Sequence, residues 1–234
     1  LLFDPETSDS YELGFKGDFL EKRLRVNAAL YRTDFDDFQA NTFVGTGFVL
    51  QNAGKIRSEG FELEVFALPA SWLNLSAGLS YVDATYDSFL GGSCIRTPFG
   101  SEPDRGEPSF PTTCDATGNI VGGTPEWSAY GSGQAQWRMG NGSMFYTQLD
   151  LLWRDEMPSG TDNDPNKFAS SYTLLNWRIG YRFSQDRFDL ILWSKNLLDE
   201  DYRDGGFNSV IREGSLSAYH TEPRTYGLTF RAAL

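Results

Sequence analysis

The chain has one histidine, two cysteines and three methionines in 234 residues, and no run of apolar residues approaches 18. Each scarcity excludes something. The lone His220 lies in a serine-rich loop, so no Ser-His-Asp relay can be read from it, and a solvated loop histidine is its ordinary reading. Cys94 and Cys114 stand 20 positions apart without the second ligand pair a zinc site needs. They are free thiols in a reducing compartment and a bridge on a cell surface. Without a long apolar run there is no transmembrane helix. Lys and Arg total 20 against 32 Asp and Glu, a net charge of -12, which argues against a nucleic-acid partner. Gly45-Thr46-Gly47 and Gly131-Ser132-Gly133 both lack the third glycine of a dinucleotide loop, and no cofactor is expected. Asp162, Asp164 and Asn166 begin like a calcium loop. Lys167 then replaces the required glycine and Thr173 the final glutamate, which rejects an EF-hand and leaves a looser surface calcium site open. No metal ligand set is assigned. The chain opens on Leu1 with neither Met nor leader. It reads as a fragment or a processed product, so the missing leader carries no information on compartment.

What is present points to strands. Trp, Tyr and Phe number 6, 11 and 18, Gly 24, and hydrophobic residues make up 40%, too many for a disordered tail. Apolar residues recur at every second position. Tyr226, Leu228, Phe230, Ala232 and Leu234 alternate with Thr225, Gly227, Thr229, Arg231 and Ala233. The same period runs through Leu24–Leu30, Phe61–Ala67, Leu73–Tyr81 and Leu175–Phe183. Nine strands are predicted: 9–19, 22–33, 47–67, 72–86, 126–139, 143–154, 170–183, 187–198 and 222–234. Gly54 and Gly60 suggest a bend or bulge in the third. Connections alternate between short turns near residues 21, 70, 141 and 185 and long loops at 34–46, 87–125, 155–169 and 199–221. Gly140-Asn141-Gly142 is a hairpin signal.

Strands this long exceed those of soluble sheets and suit tilted strands crossing a bilayer. Short turns at one end and long loops at the other are the asymmetry of outer-membrane barrels. Trp72 and Trp137 near the short turns, and Tyr86, Trp127, Trp153 and Tyr172 near the long loops, are placed like interfacial girdles. Two other classes stay open. A soluble β-sandwich binding module would bury its apolar faces in one core. A barrel enzyme such as a lipase would need a serine at the depth of His220.

Four blocks then carry a family resemblance. They are Pro5-Glu6-Thr7-Ser8 with Tyr11-Glu12-Leu13-Gly14-Phe15-Lys16, Gln51-Asn52-Ala53-Gly54-Lys55 with Glu59-Gly60-Phe61-Glu62-Leu63-Glu64, Lys195-Asn196-Leu197-Leu198-Asp199 with Tyr202, and Glu222-Pro223-Arg224-Thr225-Tyr226-Gly227. In this order, across almost the whole chain, they resemble the C-terminal part of the barrel of a TonB-dependent outer-membrane receptor. Leu198 stands where the family usually has Phe, and Leu234 where it usually ends on an aromatic. The departure at Leu234 bears on assembly efficiency.

The resemblance implies an all-β, antiparallel transmembrane barrel, of which this chain supplies about nine of 22 strands and no plug. It implies TonB-energised uptake of a scarce nutrient of the siderophore–iron, cobalamin or oligosaccharide class. The implied partners are the energy-coupling complex, reached through the plug, the nutrient, and outer-membrane lipid and lipopolysaccharide. No catalytic role is implied. Strand parity puts Arg25, Glu62, Glu64, Arg178, Arg182 and Arg231 on the inward face, where charge stays hydrated or paired. Phe89, Phe99, Phe207 and Tyr219 are the loop aromatics that could stack on a ligand or pack the loops together. Cys94 and Cys114 are expected to bridge within the longest loop. The four long loops hold 17 acidic and 5 basic residues, the whole of the net charge, so the acidity belongs to the expected extracellular face.

Overall fold

A computed structural model describes residues 4–44, 47–52, 54–95, 113–184, 187–209 and 215–233; the side chains of 42–44, 47–49 and 51 lie outside the description. Its strands are β1 (Thr7–Phe19), β2 (Leu24–Asp36), β3 (Gln39–Val44), β4 (Gly47–Asn52), β5 (Lys55–Ala70), β6 (Leu73–Ser88), β7 (Trp127–Arg138), β8 (Met144–Arg154), β9 (Tyr172–Phe183), β10 (Phe188–Lys195), β11 (Arg203–Asn208), β12 (Leu216–His220) and β13 (Thr225–Ala232). Nine of them form one antiparallel sheet in the order β1-β2-β5-β6-β7-β8-β9-β10-β13, and β3–β4 and β11–β12 are separate hairpins. The nine expected strands are thus the nine strands of the sheet.

Two differences are instructive. The expected strand 47–67 is two elements. Gly54, at φ 82°, turns the chain between them, and a Cβ there would meet the Ser88 carbonyl oxygen at 2.5 Å. The expected strand 187–198 stops at Lys195 because Asn196 turns left-handed, at φ 49°. The Asn196 side chain then ties three segments together. Its amide donates to the Glu200 and Glu222 carbonyls at 2.8 and 3.3 Å, its Oδ1 accepts from Glu200 N at 2.9 Å, and its own backbone N–H reaches Asn176 Oδ1 at 3.0 Å. Asp199 Oδ1 accepts from Arg224 N at 2.9 Å. An Asn at this position supplies both the backbone conformation and the donors that a tight strand exit needs.

Register sorts the side chains into two faces. Leu13, Leu30, Phe61 and Tyr81 are linked by direct pairing, as are Leu151 with Leu175 and Leu192 with Leu228. This face stays open: Leu13 is 74% exposed and Leu228 68%. A sandwich would cover it with a second sheet, and among the described residues the remaining strands form only two-stranded hairpins. The opposite face is polar and carries both clusters of buried apolar residues.

Aromatic rings border the open apolar band at both ends. At the long-loop end Phe61, Tyr81 and Trp127 pack together at centroid distances of 6.0, 5.7 and 4.8 Å. At the short-turn end Trp72, Trp137 and Phe145 follow one another at 5.7 and 5.8 Å, and Phe183, Phe188 and Phe230 at 5.4 and 5.9 Å. From Trp72 to Tyr81 the strand rises roughly 30 Å at about 3.3 Å per residue. A tilt of about 40° turns that into roughly 23 Å of height, which matches the apolar band of membrane barrels. Beyond the upper belt the same face turns ionic. Arg32 and Arg57 meet Asp34 at 2.9 and 3.1 Å, and Arg57 meets Asp87 at 2.9 Å. Tyr86 and Tyr172, expected in the belt by their nearness to the loops, have the other parity. Tyr86 pairs in register with inward Ile56 and is 3% exposed, and Tyr172 pairs with Arg154.

One polar pair lies on the apolar face between the belts and is satisfied from within. Trp177 Nε1 donates to Thr147 Oγ1 at 2.9 Å, and that hydroxyl donates to the Arg178 carbonyl at 3.0 Å. Thr147→Val leaves the indole N–H unpaired against hydrocarbon. It should cost about 1–3 kcal/mol, read as a lowered thermal midpoint in detergent, while Thr147→Ser should retain most of the stability.

Candidate functional site

The inward face forms a ladder of polar side chains. Ser80 and Ser128 Oγ lie 2.6 Å apart, Ser132 donates to Asp150 at 2.6 Å, and Gln148 donates to the same carboxylate at 2.7 Å. Register places all six sequence-predicted inward residues on this face. Arg25 Nε meets Asp18 at 2.8 Å. Glu64 accepts from Asn27 at 3.2 Å, and Glu62 pairs in register with Ser80. Arg178 donates from Nε to Gln148 at 3.1 Å, and Arg182 meets Asp189 at 3.3 Å. Arg231 pairs in register with Asp189. Tyr146 donates to both Asp189 oxygens at 3.1 Å. Its ring lies over Gly180, where a Cβ would come within 2.2 Å of it, so glycine lets the ring lie flat on the wall.

At the long-loop end this face becomes the floor of a chamber. Ile56 and Tyr86, each under 5% exposed, carry Phe35, Phe38, Ala40, Phe89, Ala116 and Val121 packed over them. Phe89, a candidate ligand contact, is 1% exposed and is sealed into this cluster. Its burial follows from the return of the loop: Ala116 N donates to Phe89 O at 2.7 Å and Phe89 N to Thr117 Oγ1 at 3.0 Å. Phe99 lies outside the described residues, as does Leu234. Phe207 and Tyr219 belong to the β11–β12 hairpin. Their ring centroids are 5.3 Å apart, and they are 39% and 67% exposed.

Three loops are fastened together around the chamber. Ser93 N donates to Thr161 Oγ1 at 2.8 Å, and Asn119 Nδ2 to Thr161 O at 2.8 Å. Ile120 N donates to Asn163 Oδ1 at 2.8 Å, and Gly123 N to Pro158 O at 2.8 Å. Ser159 donates to Lys167 O at 2.6 Å and accepts from Gly206 N at 3.2 Å. Cys94 and Cys114 are joined in a disulfide, Cα atoms 5.1 Å apart. Between these loops lies a cavity of about 650 Å³, bordered by Phe38, Tyr86, Thr161, Phe207, Asn208 and Tyr219. Asp162 and Lys167, also at its border, are an ion pair with both partners buried. Asp164 is turned to the short 3-10 turn Pro165–Lys167 and accepts from Asn166 N at 3.0 Å. The acidic residues that resembled a calcium loop are thus engaged within the loop itself. Sequence reasoning missed Thr161, Asn208 and inward Tyr86. The parity of Tyr86 with Ala84 and Val82 was the available signal for the last.

A second hollow of about 430 Å³ on the same wall is bordered by Asn176, Lys195, Tyr202, His220 and Glu222. His220 faces Asp201 at 3.4 Å on the exposed side of this hairpin. Tyr202 stacks on Tyr172 at 3.9 Å, and Arg154 lies over Tyr172 at 4.6 Å. Burial, with the Tyr172 phenol beside it, pushes the Tyr202 phenol up to about 12.

A family model described as TonB dependent receptor-like, beta-barrel, matches residues 2–197. The ferric-pyoverdine M114 receptor PbuA of Pseudomonas sp. strain M114 is 26% identical over 237 residues, covering 97% of this chain and 24% of that protein. The catecholate siderophore receptor Fiu of Escherichia coli K12 is 27% identical over 231 residues, covering 97% of this chain and 26% of its own length. The chain therefore spans about a quarter of the length of these relatives. Among solved structures, the ferric yersiniabactin uptake receptor FyuA of Yersinia pestis superposes with a TM-score of 0.75 at 22% identity, covering 98% of this chain and 30% of that one. The siderophore receptor PiuA of Acinetobacter baumannii superposes with a TM-score of 0.71 at 23% identity, covering 98% and 28%. These two likenesses speak for the fold.

The disulfide closes a loop of 20 residues. Its reduction should destabilise the loop cluster by about 3 kcal/mol in the chain-entropy account. Limited proteolysis should then cut between residues 87 and 125 in reductant and spare that stretch without it. The raised Tyr202 phenol sets a pH window. Its contribution to loop stability is fully present below pH ~10, the ordinary tyrosine value, and falls as pH rises through about 12. Protection of the β11–β12 amides, taken relative to their base-catalysed intrinsic exchange, should therefore stay level below pH ~10 and fall above it.

Proposed function

The chain belongs to the TonB-dependent receptor family, as part of its β-barrel, and from that premise we propose that it forms the C-terminal nine strands of a siderophore–iron receptor in a Gram-negative outer membrane. The short turns then face the periplasm and the four long loops face outward. The observation that carries this reading is the cavity of about 650 Å³ held by three fastened loops directly above a polar inner wall. Its size suits a metal chelate, and the polar ladder below it offers a hydrated path. Siderophore–iron is preferred to cobalamin or oligosaccharide because the relatives that cover nearly all of this chain are named as siderophore receptors.

The sheet itself argues for further strands. β1 and β13 each pair on one side only. In hydrocarbon an open edge leaves backbone N–H and C=O groups without partners, which a spanning structure cannot sustain. The rest of the barrel and a plug would close the wall, and the energy-coupling complex would act through that plug. Phospholipid and lipopolysaccharide would cover the apolar band. The chain's own part is structural and selective: it supplies wall, lumen lining and ligand-facing loops, with no bond made or broken.

Cells whose only siderophore receptor is the complete protein should accumulate iron from its ferric siderophore, and accumulation should fall to background when inner-membrane energy coupling is removed. Uptake that survives this removal would sink the energised-import reading. Phe207→Ala combined with Tyr219→Ala removes two exposed rings from the chamber rim. Binding of the ferric ligand should weaken about tenfold, or ~1.4 kcal/mol, with the thermal midpoint unchanged.

A further inference from the structure

Below the chamber the nine-stranded sheet turns five aromatic rings inward: Tyr31, Phe66, Tyr130, Tyr146 and Trp193. Four of them have glycine as a register partner on the next strand. Tyr31 pairs with Gly60, Tyr130 with Gly78, Tyr146 with Gly180 and Trp193 with Gly227. In three of these pairs the ring lies directly on its glycine. A Cβ at Gly78 would come within 2.2 Å of the Tyr130 ring, one at Gly180 within 2.2 Å of the Tyr146 ring, and one at Gly227 within 2.5 Å of the Trp193 ring. Their polar ends are bonded along the wall as well. Tyr146 donates to both Asp189 oxygens at 3.1 Å, Trp193 Nε1 to Thr229 Oγ1 at 3.0 Å, and Tyr130 Oη to Glu64 at 3.5 Å. Phe66, which faces Ser76 instead of a glycine, is 41% exposed, whereas seated Tyr146 is 7% exposed.

The outward face is built on the same pairing and does without this device. Gly131 and Gly133 turn outward opposite Leu151 and Leu149, and among the described residues no outward ring of the sheet pairs with a glycine. Glycine in a strand interior weakens the strand. If the seats served strand pairing alone, the rings of the outward face would use them too. Their restriction to the inner face points to the lumen. A ring standing off the wall would project its length, with a phenol or an indole N–H at its tip, into the hydrated space below the chamber. Seated on glycine, it covers the backbone and leaves that space open.

Resting on the receptor reading, we infer that Gly78, Gly180 and Gly227 are positioning residues for import. They let Tyr130, Tyr146 and Trp193 lie flat, and the wall from β6 to β13 thereby leaves clearance for the ferric chelate descending from the chamber. These glycines act through the rings and make no contact with the ligand while it is held above.

The test is uptake of radiolabelled iron by cells carrying the complete receptor, offered as a ferric trihydroxamate, a ferric tris-catecholate and a mixed hydroxamate–catecholate chelate. Whichever chelate the unaltered protein imports is then the probe. Gly180→Ala and Gly227→Ala should each lower its import about tenfold, the loss that an added barrier of ~1.4 kcal/mol produces. The Kd for the same chelate, measured on the receptor in detergent, should be unchanged. Gly131→Ala, whose Cβ would meet nothing within 4 Å, controls for the loss of a glycine and should import normally. Taking the ring away should restore import: Gly180→Ala with Tyr146→Ala, and Gly227→Ala with Trp193→Ala. Should one glycine variant fail to assemble in the membrane, the other carries the same expectation at a separate strand pair. Assembled variants that import at the unaltered rate overturn the role of these glycines and leave the receptor reading standing. So does a loss of import that persists once the ring is gone, since it marks a purely structural glycine. Import of none of the three chelates by the unaltered protein overturns both.

Discussion

In hydrocarbon no water is present to satisfy a backbone amide, so every N–H and C=O of the wall must find its partner on the next strand. This one requirement fixes the register of nine strands at once. Because side chains alternate with a period of two, a slip of one residue between any two strands would turn Leu13, Leu30 and Phe61 inward and drive Glu62, Glu64 or Arg178 into lipid. Backbone pairing and side-chain sorting therefore enforce each other. The same logic explains why a tryptophan and a threonine can share the apolar face: Trp177 and Thr147 close their hydrogen bonds locally and ask nothing of the solvent.

Above the membrane band the governing rule changes. Water is again available, the sheet's register no longer dictates which side chains meet, and the loops are held by a small apolar cluster and by hydrogen bonds to turns. Thr161, Asn163 and Ser159 each bond two segments that are distant in sequence. These short polar side chains do for the loops what the ladder does for the strands. The chamber they enclose is rigid at its base, where Ile56, Tyr86 and Phe89 are buried, and open at its rim, where Tyr219 stands in solvent.

Much of the wall was legible in the sequence because its period is dictated by lipid. Alternation located the nine strands and put the six charged residues on one face, as the register has them. Legibility fails where that period stops. β3 and the β11–β12 hairpin lie beyond the aromatic belt and read as loop, and β4 read as the start of the strand that β5 continues. Tyr86 and Tyr172 were assigned to the belt by their distance from the loops, whereas parity along their own strands points them inward. The burial of Phe89 depends on a hydrogen-bonded return from residues 114–117, which no local pattern announces. The closed Asp162–Lys167 pair reads in sequence as part of a defective calcium loop. Three-dimensional closure reveals it as an internal ion pair.

The placement of the aromatic belts also makes the wall its own optical instrument. Trp127 and Trp153 share the outward parity at the loop end, Trp72 and Trp137 stack on the outward rim at the turn end, and Trp177 lies between these levels. Of the six tryptophans only Trp193 has the inward parity, covering Gly227 on the neighbouring strand. Emission from this wall is therefore dominated by indoles seated at distinct depths in the surrounding lipid. Colour and quenching by lipid-borne probes would gauge how deep the barrel sits and how thick the bilayer around it is, while events inside the lumen pass almost unseen.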